Sequence, residues 1–271
     1  MSAGGGGLIQ LAFLLLRFKY GWIILLLLVG VSYFSGAFRS GTTEDASRAA
    51  GDRGSAAATQ PGSRADFVGF VLDDAQRTWD GLLQAGPVPY RHAKLVLFTD
   101  ATRTACGFGE AATGPFYCPR DERVYIDLGF YNELSRRFGA NGDFAEAYVI
   151  AHEIGHHVQK ILGISERVQN SPSSALKGAN GLSVRLELQA DCLAGVWAHS
   201  TAKRDILEKG DIDEGLGAAA AIGDDRIQRQ STGRVHPESW THGSSAERTH
   251  WFRKGYDEGT LKACDTFSGG L

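Results

Sequence analysis

The chain has 271 residues, of which 43% are hydrophobic and 22% charged, the proportions of a soluble globular domain. A net charge of −3 with a pI near 6.2 offers no broad attraction to nucleic acid, so no nucleic-acid partner is expected. Only one apolar run is long enough to cross a bilayer, which excludes a polytopic transporter, and the composition excludes a fibrous or a disordered chain.

That run, Tyr20 to Phe38, is nineteen residues without a charge. As a helix it just reaches across a hydrocarbon core of about 30 Å. Tyr20, Trp22, Tyr33 and Phe34 sit near its ends, where amphipathic rings favour the headgroup layer. A cleaved signal peptide is the competing reading, since Ser35-Gly36-Ala37 offers small residues at a cleavage site. A second apolar stretch, Leu8 to Leu16, precedes Arg17 and Lys19 and makes the front end long for a signal peptide. The expectation is a single-pass signal anchor over 20–38, with 1–19 in the cytoplasm. Basic residues flank both sides of the span, so charge alone does not orient it.

Cysteine usage bears on orientation. Of the four cysteines, Cys106 and Cys118 bracket a Gly-rich stretch that a disulfide would close, leaving Cys192 and Cys264 as a second pair. Two bridges place the domain in an oxidising compartment, outside the cytoplasm. Four reduced thiols are the alternative. From 39 to 64 the chain is rich in Ser, Gly, Ala and Thr, and reads as a flexible tether.

Residues 65–271 have the length of one domain. Asp66 to Ala85 carries apolar residues at three- and four-residue steps, which predicts a helix ended by Gly86-Pro87. KLVLF (94–98) and VYIDL (124–128) are short strand-like runs. Phe130 to Phe138 is a short helix, and Phe144 to Leu162 and Leu182 to Lys203 are the two strongest helical segments. Beyond Ala221 the pattern weakens to loops, with one helix around Ser245 to Tyr256. Cys106 to Gly114 has no GK[ST] and reads as a surface loop, not a phosphate loop. The expected fold is α+β, helix-rich with a small sheet formed early in the chain.

Inside the first strong helix lies His152-Glu153-Ile154-Gly155-His156. Four residues advance a helix a little over one turn, so His152 and His156 share a face and can share one ion. Two imidazoles at that spacing suit Zn²⁺. Glu153 lies about 100° around the helix, where it flanks the ion as a base for an activated water. The next helix supplies Glu187 as a third protein ligand and, one turn on, Asp191 to accept the spare ring N–H of a ligating histidine. Two histidines and one glutamate leave a fourth position open, as a catalytic zinc requires. Solvated helix-surface charges are the bland alternative for Glu187 and Asp191, set against their apolar frame of Leu186, Leu188, Ala190 and Leu193.

AHEIGHHVQ (151–159) together with LELQADCLAGVWA (186–198) resembles the neutral zinc metallopeptidase family of bacteria. The similarity extends to GPFYCPRDERVYIDLGFY (114–131) and HPESWTHGSSAERTHWFRKGY (236–256). The resemblance implies a zincin-like fold, one zinc ion per chain and peptidase activity, and it supplies no substrate. THGSSAER (241–248) is similar to the Thr-His…Glu-Arg segment of membrane-associated gluzincins. There His242 would donate to the oxyanion formed on the scissile carbonyl; the competing role is a loop histidine before a helix starting near Ser244 or Ser245.

Arg248 and His236 are weaker candidates of the same kind, and Tyr125 and Tyr131 read as core aromatics. His157 points away from His152, which predicts packing or hydrogen bonding under the sheet. Cys192 projects elsewhere than Glu187 and reads as the partner of Cys264. The expected function is a membrane-anchored zinc peptidase acting on a peptide or protein, with Glu153 as general base. A zinc-bearing binding or scaffold protein and a zinc amidase of cell-wall peptides are the rivals. The oligomeric state is not readable.

Overall fold

A computed structural model describes residues 63–268 apart from 85, 87 and 111–113, so the expected 1–19 segment, the 20–38 span and nearly all of the 39–64 tether lie outside the described residues. Among the described residues no helix is long and apolar enough to cross a membrane. Helix α1 (Arg64–Leu83) starts two residues before the predicted point. Ser63 caps it and Asp66 reaches back to the Ser63 backbone, a reciprocal capping box that fixes the start. Its buried stripe includes Val68, Val71, Leu72, Ala75 and Trp79.

The strands all follow α1 and precede the remaining helices. They are β1 (Lys94–Phe98), β2 (Ala101–Thr104), β3 (Gly107–Glu110), β4 (Phe116–Cys118) and β5 (Arg123–Asp127). One sheet has the order β1-β5-β4, with β1 parallel and β4 antiparallel to β5. The central strand β5 is covered on both faces, burying Val124, Tyr125, Ile126 and Asp127. β2 and β3 form a separate antiparallel pair. Much of the stretch from Cys106 to Gly114, expected to be a loop, is therefore strand. GFGE (107–110) contains one large apolar residue, Phe108, and that residue is exposed, so no alternation marks the strand.

The helices α2 (Phe130–Phe138), α3 (Asp143–Ile161), α4 (Ile164–Gln169), α5 (Ser173–Leu176) and α6 (Leu182–Lys203) follow. After them come α7 (Asp211–Ala221), α8 (Asp224–Thr232) and α9 (Ser245–Glu258). α8 departs from the loops expected beyond Ala221, and α7 lies in a stretch for which the sequence predicts no element. α7 packs through Gly215, Ala218, Ala219 and Ala221, and α8 buries no residue, so neither shows a stripe of large apolar side chains. α9 begins after Ser244, whose side chain and that of Glu247 form a second capping box.

The core is built on α3 and α6, flanked by α1, α7 and α9. α6 and α9 meet backbone to backbone. A Cβ at Gly195 would lie 2.1 Å from the Phe252 carbonyl oxygen, and one at Gly255 would lie 1.9 Å from that of Cys192. Both expected disulfides are present, Cys106–Cys118 and Cys192–Cys264. The second ties α6 to the turn after α9. The helix-rich α+β class is as predicted.

Candidate metal centre

α3 and α6 approach closely where Gly155 faces Ala190; a Cβ on Gly155 would lie 3.0 Å from the Ala190 carbonyl oxygen. Glycine at the fourth position of the His-Glu-x-Gly-His run therefore sets the spacing of the helices that carry the ligands. His152 Nε2 lies 3.2 Å from Glu187 Oε2, and His156 Nε2 lies 3.5 Å from Glu187 Oε1. The three residues bring one ligand atom each within 4.8 Å of one another. Tetrahedral ligands at about 2.1 Å from zinc stand about 3.4 Å apart, so this donor set fits the ion.

The other ring nitrogens are held from behind. His152 Nδ1 lies 2.8 Å from Asp191 Oδ1, and His156 Nδ1 lies 2.9 Å from Gln159 Oε1. With each Nδ1–H donated backward, both Nε2 atoms keep their lone pairs for the metal. Asp191 also accepts from Tyr148 Oη at 2.5 Å and from Arg248 Nε and Nη2, each at 2.8 Å. The sequence assigned Asp191 to this role but did not identify Tyr148 and Gln159. Both were within reach of helical spacing, since Tyr148 stands four residues before His152 and Gln159 three after His156.

Burial opposes charge on every member of this group, and the neighbours decide the outcome. On His152 the carboxylates of Asp191 and Glu187 outweigh burial and lift it to about 10. His156 is raised by Glu187. Glu187 is held well below the usual carboxylate range by the two histidines, and Asp191 is lowered by Arg248 and His152. The place where the three ligand atoms converge thus favours positive charge. Glu153 goes the other way. Burial lifts its carboxyl above the usual range, although both histidines and the Tyr117 backbone N–H favour ionisation.

Glu153, His152, His156 and Glu187 line one cleft of about 620 Å³. Its apolar walls include Phe116, Phe130, Leu186, Ile222 and Ile227. His242 reaches the same cleft. Its loop is gripped by Asp224, whose Oδ2 accepts the backbone N–H groups of Thr241, His242 and Gly243 at 2.8, 2.7 and 3.1 Å. Oδ1 lies 3.4 Å from His242 Nδ1, and this carboxylate raises the imidazole above its ordinary value despite burial. Asp224 was missed, and nothing in the chain marked it, because it stands eighteen residues from His242.

Arg248 lines the cleft but is buried, with its nitrogens directed to Asp191, Tyr148 and the Ile222 carbonyl. That geometry makes it the charge partner of Asp191, not an oxyanion donor. His236 is exposed beside Glu238 and does not line this cleft. Tyr131 is core, and Tyr125 stacks on Phe116 and donates to Asp121. His157 is fully buried, 2.8 Å from Tyr117 Oη and 2.5 Å from the Arg91 carbonyl oxygen, the hydrogen bonding expected of it.

A helix pair that presents two histidines and a glutamate to a cleft, each histidine backed by a polar partner, has the donor set and support of a site able to hold zinc. A family model described as "Putative neutral zinc metallopeptidase" matches residues 1–267, and the chain belongs to that family. It is 51% identical over 204 residues to an Escherichia coli K12 protein, "Uncharacterized protein YpfJ", covering 75% of this chain and 71% of that one. It is 49% identical over 190 residues to a Mycobacterium bovis protein, "Uncharacterized protein Mb2605", covering 66% of this chain and 64% of that one. No solved structure matches the chain.

Proposed function

We propose that this chain is a zinc-dependent peptidase, anchored in a bacterial membrane by residues 20–38, whose zincin-like catalytic domain lies outside the cytoplasm. The observation that carries the reading is the position of Glu153. It is a buried carboxylate with a raised pKa, it lines the cleft beside the three ligand residues, and it is not itself among them. A purely structural metal site has no use for such a group. The two disulfides support an oxidising compartment.

His152, His156 and Glu187 would hold Zn²⁺, one per chain, which supplies Lewis acidity toward a water and a carbonyl when bound. Glu153 takes the proton of the attacking water; its raised pKa brings it closer to neutrality, where a base can also return the proton. It then passes that proton to the leaving amine. His242, kept protonated more readily by Asp224, donates to the oxygen of the tetrahedral intermediate. Asp191 and Gln159 hold the two imidazoles in register from behind. The apolar cleft walls suit an extended, unfolded segment of a peptide or protein.

The test is hydrolysis of an unstructured protein by the zinc-loaded chain beside its Glu153→Gln variant. Turnover in the parent is expected to vanish in the variant while zinc stays bound. Equal rates in the two would remove Glu153 from the chemistry. Zinc bound in both with no hydrolysis in either would turn the reading toward a zinc-bearing binding protein.

A further inference from the structure

Glu153 and His157 are four residues apart on α3 and therefore point to one side of it. Both engage the same residue of the sheet, Tyr117. The Tyr117 backbone N–H faces the Glu153 carboxylate and favours its charged form, both residues line the cleft, and the Tyr117 phenol lies 2.8 Å from His157 Nδ1. His157 Nε2 donates to the Arg91 carbonyl oxygen at 2.5 Å, which leaves Nδ1 as acceptor and makes the phenol the donor. Tyr117 is thus tied to α3 at the tip of its side chain, with its backbone N–H turned toward Glu153.

The anchor behind this clip is fixed. His157 is fully buried, with the Tyr90 ring edge-on at 5.4 Å. Arg91, which offers the carbonyl, pairs through its guanidinium with Glu122 at 2.7 and 3.3 Å, and the Glu122 carbonyl accepts the Lys94 backbone N–H. Cys118, next to Tyr117, is bonded to Cys106. β4 itself is an outer strand of three residues, paired among the described residues only with β5. Strand pairing alone would hold the Tyr117 amide loosely.

We propose that His157 and Tyr117 are positioning residues. Their hydrogen bond sets β4 against α3 so that the Tyr117 amide holds the Glu153 carboxylate at one angle over the metal site. This rests on the reading of Glu153 as the general base. A base held by a fixed donor keeps its proton-accepting oxygen aimed, and a misplacement of about 1 Å can cost about a hundredfold in rate. Neither residue touches the substrate or the metal in this role.

The test uses the 271-residue chain, zinc-loaded, with labelled casein as substrate. Tyr117→Phe removes a single oxygen, and it is expected to lower kcat by about ten- to a hundredfold with KM unchanged. His157→Asn, whose side-chain oxygen can accept from the phenol, should recover more activity than His157→Ala. In a Glu153→Asp background the shortened carboxylate no longer meets the amide, so adding Tyr117→Phe should leave the residual rate unchanged.

A second readout needs neither zinc nor turnover. Hydrogen exchange of the amide at position 117 should quicken by about tenfold or more in Tyr117→Phe and in His157→Ala. Parental kcat in Tyr117→Phe, or unchanged exchange at that amide, would overturn the positioning role. So would a loss that multiplies in the Glu153→Asp background. If Glu153→Gln is inactive while Tyr117→Phe is fully active, only the positioning inference falls. If Glu153→Gln is as active as the parent, the general-base reading falls with it.

Discussion

Among the described residues, two groups of side chains bring three ligand-capable atoms within 4.8 Å of one another: His152, His156 and Glu187, and Asp143, Asp211 and Glu214. The second group sits at the N-terminal ends of α3 and α7, where carboxylates complement the helix dipole. Two of its members serve the backbone: Glu214 accepts the Phe144 N–H at 3.2 Å, and Asp211 accepts the Glu208 N–H at 2.7 Å. Burial and the neighbouring acids Asp143, Asp211 and Glu208 push the Glu214 carboxyl upward, the response of a crowd of like charges. The first group is set deeper, mixes imidazole and carboxylate ligands, and has each histidine oriented by a partner on its far nitrogen. Proximity alone does not separate the two clusters. What separates them is whether the ligand atoms are left unoccupied and aimed by groups behind them.

The strongest way to break that comparison is metal content. His152→Ala removes a ligand and should abolish retention of zinc through dialysis, whereas Asp211→Asn should retain one zinc per chain. Metal analysis of the two purified variants decides the matter. Loss of zinc from Asp211→Asn alone would reverse the assignment.

The groups behind the ligands can be tested separately from the ligands. Asp191→Asn leaves the shape of the site but removes the charge that holds His152 and Arg248. Zinc affinity is expected to fall by about 10–100-fold, the usual effect of losing an outer partner. The same change leaves Arg248 buried without its counter-charge, at a cost of about 3–5 kcal/mol in urea unfolding. Adding Arg248→Met should recover stability while leaving zinc affinity low. If affinity recovers too, Asp191 acts through the fold and not through His152.

The same contrast explains what could be read from the chain. His152, Glu153, His156, Glu187 and Asp191 lie on two amphipathic helices, where a period of 3.6 residues converts sequence spacing directly into direction. Gln159 and Tyr148 obey the same rule and were open to the same reasoning. Tyr117 and Asp224 were not. Tyr117 contributes a backbone N–H from a three-residue outer strand, and Asp224 holds a loop from the start of a helix that buries nothing. Long-range pairing of that kind has no period. The hairpin of β2 and β3 was missed for a related reason, since its outward Phe108 breaks the pattern by which half-buried strands are recognised.

Asp74 gives a third case and the smallest effect. Like Glu187 it is a carboxylate on a helix, here fully buried, but it meets no histidine. Arg204 Nη1 and Nη2 lie 2.5 and 2.8 Å from it, and Trp197 Nε1 lies 2.9 Å away, tying α1 to α6. Burial raises its pKa, and the bonds from Arg204 and Trp197 overcome this and leave it below the ordinary value. A carboxyl depressed in the folded state contributes stability above its unfolded value of about 3.9, and that stability is lost as pH falls through the folded value. Arg204→Met should therefore cost about 1–3 kcal/mol at pH 7, a charged hydrogen bond's worth, and less at pH 3. Zinc content should stay at one per chain throughout. An equal cost at both pH values would show that Arg204 stabilises through the packing of its stem and not through the Asp74 charge, because only the charge is removed by acid.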